Sequence, residues 1–213
     1  WRHFEVRNFF NDSTLSSIES LIYDESTCWE KEDREEPRFY HPISRKNIGG
    51  DFEKNIVTQI TNSENISYLT DISGGHLDGG NLFCHYRLIK DCSGYVKEPH
   101  EDLKTLFTLM IFFTKENSGE KYGTEILNER GEVVRDSIYE NNAGYFFFTN
   151  NGYKTLHSFT KQFTKPRYSL LYNIYSGDDF LSIYEGNSRF NMMGKIRAIR
   201  DMKDVLFPME QLL

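Results

Sequence analysis

The sequence predicts a mainly β fold, a double sheet of the jelly-roll, cupin-like kind (a double-stranded β-helix), with N-terminal helices packed on one sheet. Three observations carry this. Apolar residues recur at helical spacing near the start of the chain. From residue 65 the period shortens to that of strands and stays so to about 175. Compact turn signals separate those strands: Ser73-Gly-Gly75, Asp91-Cys-Ser-Gly94, Glu129-Arg-Gly131 and Asn150-Asn-Gly152. Early helices followed by short, regularly punctuated strands pack as helices on one face of an all-β double sheet. A chain of 213 residues suits a single domain with one well-filled core. Its parts are a helical support and loop over 1–64, a jelly-roll core over 65–176 and a C-terminal extension over 177–213.

The elements follow in order. Phe4-Glu-Val6-Arg-Asn-Phe9 alternates apolar and polar residues and reads as an edge strand. Asn11 or Asp12 then offers a helix cap, and Leu15, Ile18, Leu21 and Ile22 fall on one helical stripe. The stretch 23–50 is charged and irregular, and its run Glu30-Lys-Glu-Asp-Arg-Glu-Glu36-Pro37 has no place unpaired in a core. It reads as a long surface loop and a candidate lid. A second helix starts at Asp51 behind two glycines, with Phe52, Ile56 and Ile60 on one face. Strands are expected over 66–72, 82–89, 105–114, 122–127, 144–148, 156–159 and 167–175. A last helix covers 195–205, with Ile196, Ile199 and Met202 on one side.

Composition narrows the function classes. A net charge of -7 argues against a sequence-independent grip on nucleic acid, which needs clustered Lys and Arg. Arg45 and Lys46 beside Gly49 form a small basic pair, best read as solvated surface. The three cysteines, Cys28, Cys84 and Cys92, include no Cys-x-x-Cys pair and suit a reducing compartment. No run of about 18 apolar residues and no basic-then-apolar leader pattern occurs, so a cytoplasmic protein without a membrane partner is expected.

The chemistry concentrates in five dispersed residues. His100 and Asp102 stand in Glu98-Pro-His-Glu-Asp102, and His157, Arg167 and Ser169 follow. Two histidines and a carboxylate form the donor set that holds a non-haem Fe(II) on one face and leaves the opposite positions open. In an extended segment, side chains two apart point to the same side, so His100 and Asp102 can reach one ion. Pro99 stiffens the backbone just before the first donor. His76 and Asp78 repeat the His-x-Asp pattern within Gly74-Gly-His-Leu-Asp-Gly-Gly80, but glycines on both sides indicate a flexible turn, and metal sites prefer preorganised ligands. His3, His41 and His85 lack a partner at chelating spacing and read as structural. Along the strand at 167–175, Arg167 and Ser169 share one face. A buried arginine there needs a carboxylate for its donor fork; an exposed one would simply pair with Asp or Glu at an edge.

Ordered as His-x-Asp, a distant His and Arg-x-Ser, these residues resemble the Fe(II)/2-oxoglutarate-dependent oxygenases, in their prolyl-hydroxylase-like branch. The resemblance spans 81–175. It implies Fe(II) on His100, Asp102 and His157, with 2-oxoglutarate as co-substrate and O₂ as oxidant. The keto-acid end of 2-oxoglutarate would chelate the iron, and its distal carboxylate would meet Arg167 and Ser169. Tyr86 is similar in placement to a family tyrosine that hydrogen-bonds 2-oxoglutarate, though a tyrosine there also serves as core filling. Tyr122-Gly-Thr-Glu-Ile-Leu127 resembles the family's Gly-Gly-x-Leu stretch, with Thr124 in place of the second glycine, a departure expected to alter the substrate mouth and not the metal. Asp102 points to hydroxylation, because related halogenases replace the carboxylate ligand by a small residue. The implied activity is hydroxylation of an unactivated C–H bond in a small-molecule or carbohydrate-like substrate, with succinate and CO₂ as co-products. The alternatives are a protein hydroxylase acting on prolyl or other residues, and a non-catalytic jelly-roll binding module.

Overall fold

A computed structural model of the chain describes residues 3–31, 36–41, 71, 82–102, 105–115, 122–149 and 154–176. They form two sheets, antiparallel at every pairing. In chain order the elements are β1 (His3–Val6), α1 (Asp12–Ile22), β2 (Glu30–Lys31), β3 (Arg38–Tyr40), β4 (Leu82–Asp91), β5 (Lys97–His100), β6 (Phe107–Phe113), β7 (Glu125–Leu127), β8 (Val133–Asp136), β9 (Ala143–Phe148), β10 (His157–Phe159) and β11 (Arg167–Ser176). The large sheet runs β1-β9-β6-β11-β4-β3-β2 and the small one β5-β10-β7-β8. From β4 onward the chain passes back and forth between the sheets, the jelly-roll pattern.

Strand periodicity divides β11 into two functions. Leu170, Tyr172 and Ile174 point to the face covered by α1, where they join Ile18, Ile22, Leu88, Leu109 and Ile111 in one cluster. Arg167, Ser169 and Asn173 are buried on the opposite face, towards the small sheet. α1 starts where expected: Asn11 caps it, its side chain accepting from the Thr14 N–H at 2.9 Å. Asn142, in the left-handed region at φ 54, clamps that end by accepting from Phe10 N and donating to Phe10 O, both at 2.8 Å. Gly144 is required in β9, because a Cβ there would lie 1.8 Å from the Met110 carbonyl oxygen of β6.

Several expectations change. The described parts of 23–50 include β2 and β3, a hairpin joined through β3 to the edge of β4, so Glu30–Lys31 and Arg38–Tyr40 are strands within a stretch expected to be an irregular loop and lid. Three residues of β3 are too few to show a period, and their pairing is supplied by a strand remote in sequence. β8 was not foreseen because all four of its residues are exposed and no alternation marks them. One helix is described where several were expected; the helix from Asp51, the helix over 195–205 and His76 with Asp78 lie outside the described residues. Asp71, the described residue of the expected strand 66–72, is helical. Among the described residues no helix is long and apolar enough to cross a membrane.

Candidate metal and co-substrate site

β5 ends on His100 and β10 begins on His157, and the two stand directly opposite in the β5–β10 ladder. Pro99 is tolerated because β5 is an edge strand. Two residues on, Asp102 turns its Oδ1 to both rings, 3.8 Å from His100 Nε2 and 3.7 Å from His157 Nε2. The three ligand atoms lie within 4.8 Å of one another, the one group of its kind among the described residues.

Every other polar atom of these side chains is tied. His100 Nδ1 meets the Glu98 carbonyl at 2.8 Å and His157 Nδ1 the Thr155 carbonyl at 2.9 Å. A carbonyl only accepts, so each Nδ1 carries the proton and each Nε2 presents a lone pair. Asp102 Oδ2 accepts from Thr108 Oγ1 at 2.9 Å, which leaves Oδ1 for the histidines. Burial and then the neighbouring His157 lower the pKa of His100, which favours its neutral, ligating form. The donor set therefore fits a divalent transition metal. Glu125 is also acidic and buried, but Ser158 and Thr160 occupy its oxygens at 2.7 to 3.0 Å, so it fastens β10 to β7 and is no ligand.

Arg167 is 1% exposed. Its Nη1 donates to Asp91 Oδ2 and its Nη2 to Thr124 Oγ1, each at 3.1 Å, while the Phe159 and Phe112 rings lie 4.2 and 4.8 Å from the guanidinium. The exposed edge-strand reading of this arginine is thereby excluded. Its Nε and the Ser169 hydroxyl are shielded from water and hold no hydrogen bond among the described residues. Tyr145 lies within electrostatic reach of both Arg167 and Asp102, its hydroxyl pushed up to about 12 chiefly by burial.

Two expectations are corrected here. Tyr86 pairs with Tyr172 and packs in the α1-side cluster, on the face opposite Arg167 and Ser169. Strand parity rules it out as a group facing the same ligand. Thr124 accepts from the arginine itself, so it lies at the Arg167 end of the site and not at a mouth alone. Asp91 and Arg38 were not singled out as site residues. Asp91 lies two residues past the expected end of its strand, at Ile89, and its role shows only through cross-strand register. Of the other histidines, His41 is buried edge-on to Trp29, and burial lowers His3 to about 4.

No family model matches the chain, and no curated protein matches it in sequence. Solved structures do match. A prolyl hydroxylase from Trichoplax adhaerens, in complex with a peptide of the hypoxia inducible factor oxygen degradation domain, aligns with a TM-score of 0.61 at 12% identity, over 84% of this chain and 86% of that one. A 2-oxoglutarate-Fe(II) oxygenase family oxidoreductase from Burkholderia pseudomallei gives 0.59 at 12% identity, over 81% and 84%. The dioxygenase for auxin oxidation 1 of Arabidopsis thaliana gives 0.51 at 10% identity, over 83% and 84%. The chain shares the fold of these oxygenases.

Proposed function

We propose that this protein is an Fe(II)- and 2-oxoglutarate-dependent oxygenase that hydroxylates an unactivated C–H bond of a small-molecule or carbohydrate-like substrate. The observation that carries the proposal is the triad, whose three ligand atoms face one another while every competing atom is hydrogen-bonded elsewhere. A jelly roll that only bound a partner would have no use for that arrangement. His100, Asp102 and His157 would hold the iron, which, when bound, supplies oxygen activation coupled to decarboxylation of 2-oxoglutarate to succinate and CO₂.

The chain's own residues supply the rest. Arg167 offers its Nε, and Ser169 its hydroxyl, to the distal carboxylate of the co-substrate. Phe112 and Phe159 exclude water from this end and fix the guanidinium plane. A protein substrate is the second reading, favoured by the peptide complex of the Trichoplax enzyme. The test is succinate formation from 2-oxoglutarate with added Fe(II), across a screen of sugars, small metabolites and proline-containing peptides. Iron-dependent succinate release that Asp102→Ala abolishes supports the proposal; release that the variant retains overturns it.

A further inference from the structure

One row of the large sheet carries three charges. In Cα register, Arg38 of β3 stands opposite Asp91 of β4, and Asp91 opposite Arg167 of β11. Directly opposite residues share a face, so all three side chains meet. Arg38 donates through Nε to Asp91 Oδ1 at 2.6 Å and through Nη2 to Oδ2 at 3.1 Å, and Arg167 Nη1 takes Oδ2 from the other side. Asp91 and Arg167 are 0% and 2% exposed at the side chain, and Arg38, 14% exposed, lies 4.0 Å over the Tyr95 ring. Two guanidinium groups thus share one carboxylate, and the row holds one surplus positive charge, with Asp91 and Arg167 shielded from water.

We infer that Arg38 is a positioning residue for the co-substrate, neutralising Asp91 so that the charge of Arg167 is left for the ligand's distal carboxylate; this rests on the co-substrate reading above. Without Arg38, Asp91 and Arg167 form a neutral pair. An incoming carboxylate would then meet the negative charge of Asp91 with nothing to offset it. Arg38 touches no ligand itself. It acts through Asp91, and the hairpin β2–β3 thereby becomes part of the binding machinery.

The test is a charge cycle read by calorimetry on the Mn(II)-loaded protein, with Mn(II) affinity and thermal unfolding as controls. Arg38→Gln should weaken 2-oxoglutarate binding by about tenfold to a hundredfold. It should leave binding of 2-oxopentanoate, which lacks the distal carboxylate, unchanged. Arg38→Gln with Asp91→Asn replaces the ion pair by a neutral amide pair, restores the surplus charge, and should recover most of the affinity. A purely structural role predicts no such recovery. Should Arg38→Gln not fold, Asp91→Asn alone decides: binding at least as tight as the parent's supports the inference, and a tenfold loss overturns it. If Arg167→Ala weakens binding while Arg38→Gln does not, or the double variant stays as weak as the single, the inference fails and the co-substrate reading stands. If neither variant affects 2-oxoglutarate, both fail.

Discussion

At the triad, groups are oriented by neutral acceptors and donors close in sequence: His100 by the carbonyl of Glu98, His157 by that of Thr155, Asp102 by the hydroxyl of Thr108. At the Arg167 end, orientation comes from full charges and aromatic faces far apart in the chain, Asp91 with Arg38 behind it, Phe112 and Phe159. The first end is partly open, with His100 and Asp102 side chains 32% and 23% exposed; the second is closed. A metal site needs lone pairs and access, so dipoles suffice to aim it. A carboxylate site needs uncompensated charge, and that is worth most where water is excluded. The two ends should therefore fail separately when mutated.

The largest effect is expected at the ligands. His100→Ala should abolish iron-dependent succinate formation, yet change unfolding free energy by about 1 kcal/mol or less, since His100 is partly exposed on an edge strand. Loss of activity together with collapse of the fold would show that the triad is structural. Next comes Arg167→Ala. Removing a buried charged partner costs about 2 to 5 kcal/mol, which is tens-fold to thousands-fold in affinity. 2-Oxoglutarate binding should weaken accordingly while metal affinity measured alone holds. Arg167→Lys should rescue only in part, as an ammonium lacks the planar fork. An equal loss of metal affinity in Arg167→Ala would break the separation of the two ends.

That contrast also sets what the sequence could show. That His100, Asp102 and His157 come together was legible because the first pair is a two-residue spacing and the third lies on a remote strand, expected over 156–159, ahead of the Arg-x-Ser strand. Arg167 and Ser169 were legible from the parity of one long strand. Tyr86 was misplaced by the resemblance, which carries over a position but no register: its face is fixed by pairing with Tyr172, where it serves as the core filling that was the other reading, and pairing is not written in either segment alone. Asp91 and Arg38 belong to one row of three strands, and only the fold brings 38, 91 and 167 together. Helix α1 was legible to its cap, whereas β2 and β3 were hidden in a charged stretch whose pairing partner is remote.

A milder test of the triad end is Thr108→Val, which keeps shape and removes the donor to Asp102 Oδ2. Groups that orient a ligand from behind typically matter by about 10 to 100-fold in metal affinity. That range is expected here in a metal titration, with 2-oxoglutarate affinity at saturating metal unchanged. A shift in both would mean that Thr108 shapes the whole cavity.

The smallest effect, and the sharpest probe of the closed end, is Thr124→Val. Thr124 Oγ1 is the acceptor for Arg167 Nη2 at 3.1 Å, in a position where the resembling family has glycine. Valine fills the same volume without the oxygen, so the change removes one acceptor and opens no cavity. The guanidinium retains Asp91 on Nη1 and the Met110 sulfur 3.6 Å from Nη2, so its charge stays paired and only one neutral acceptor is lost. A hydrogen bond of that kind contributes about 0.5 to 1.5 kcal/mol, or about two- to twelvefold in binding. The apparent Michaelis constant for 2-oxoglutarate should rise by that factor while the turnover number and metal affinity hold, because the bond orients the arginine and touches no reacting atom. Thr124→Ser, which restores the hydroxyl, should bring the constant back. If the turnover number falls and the Michaelis constant stays, Thr124 acts on the substrate side, and the sequence-based placement of this residue at the mouth was the better one.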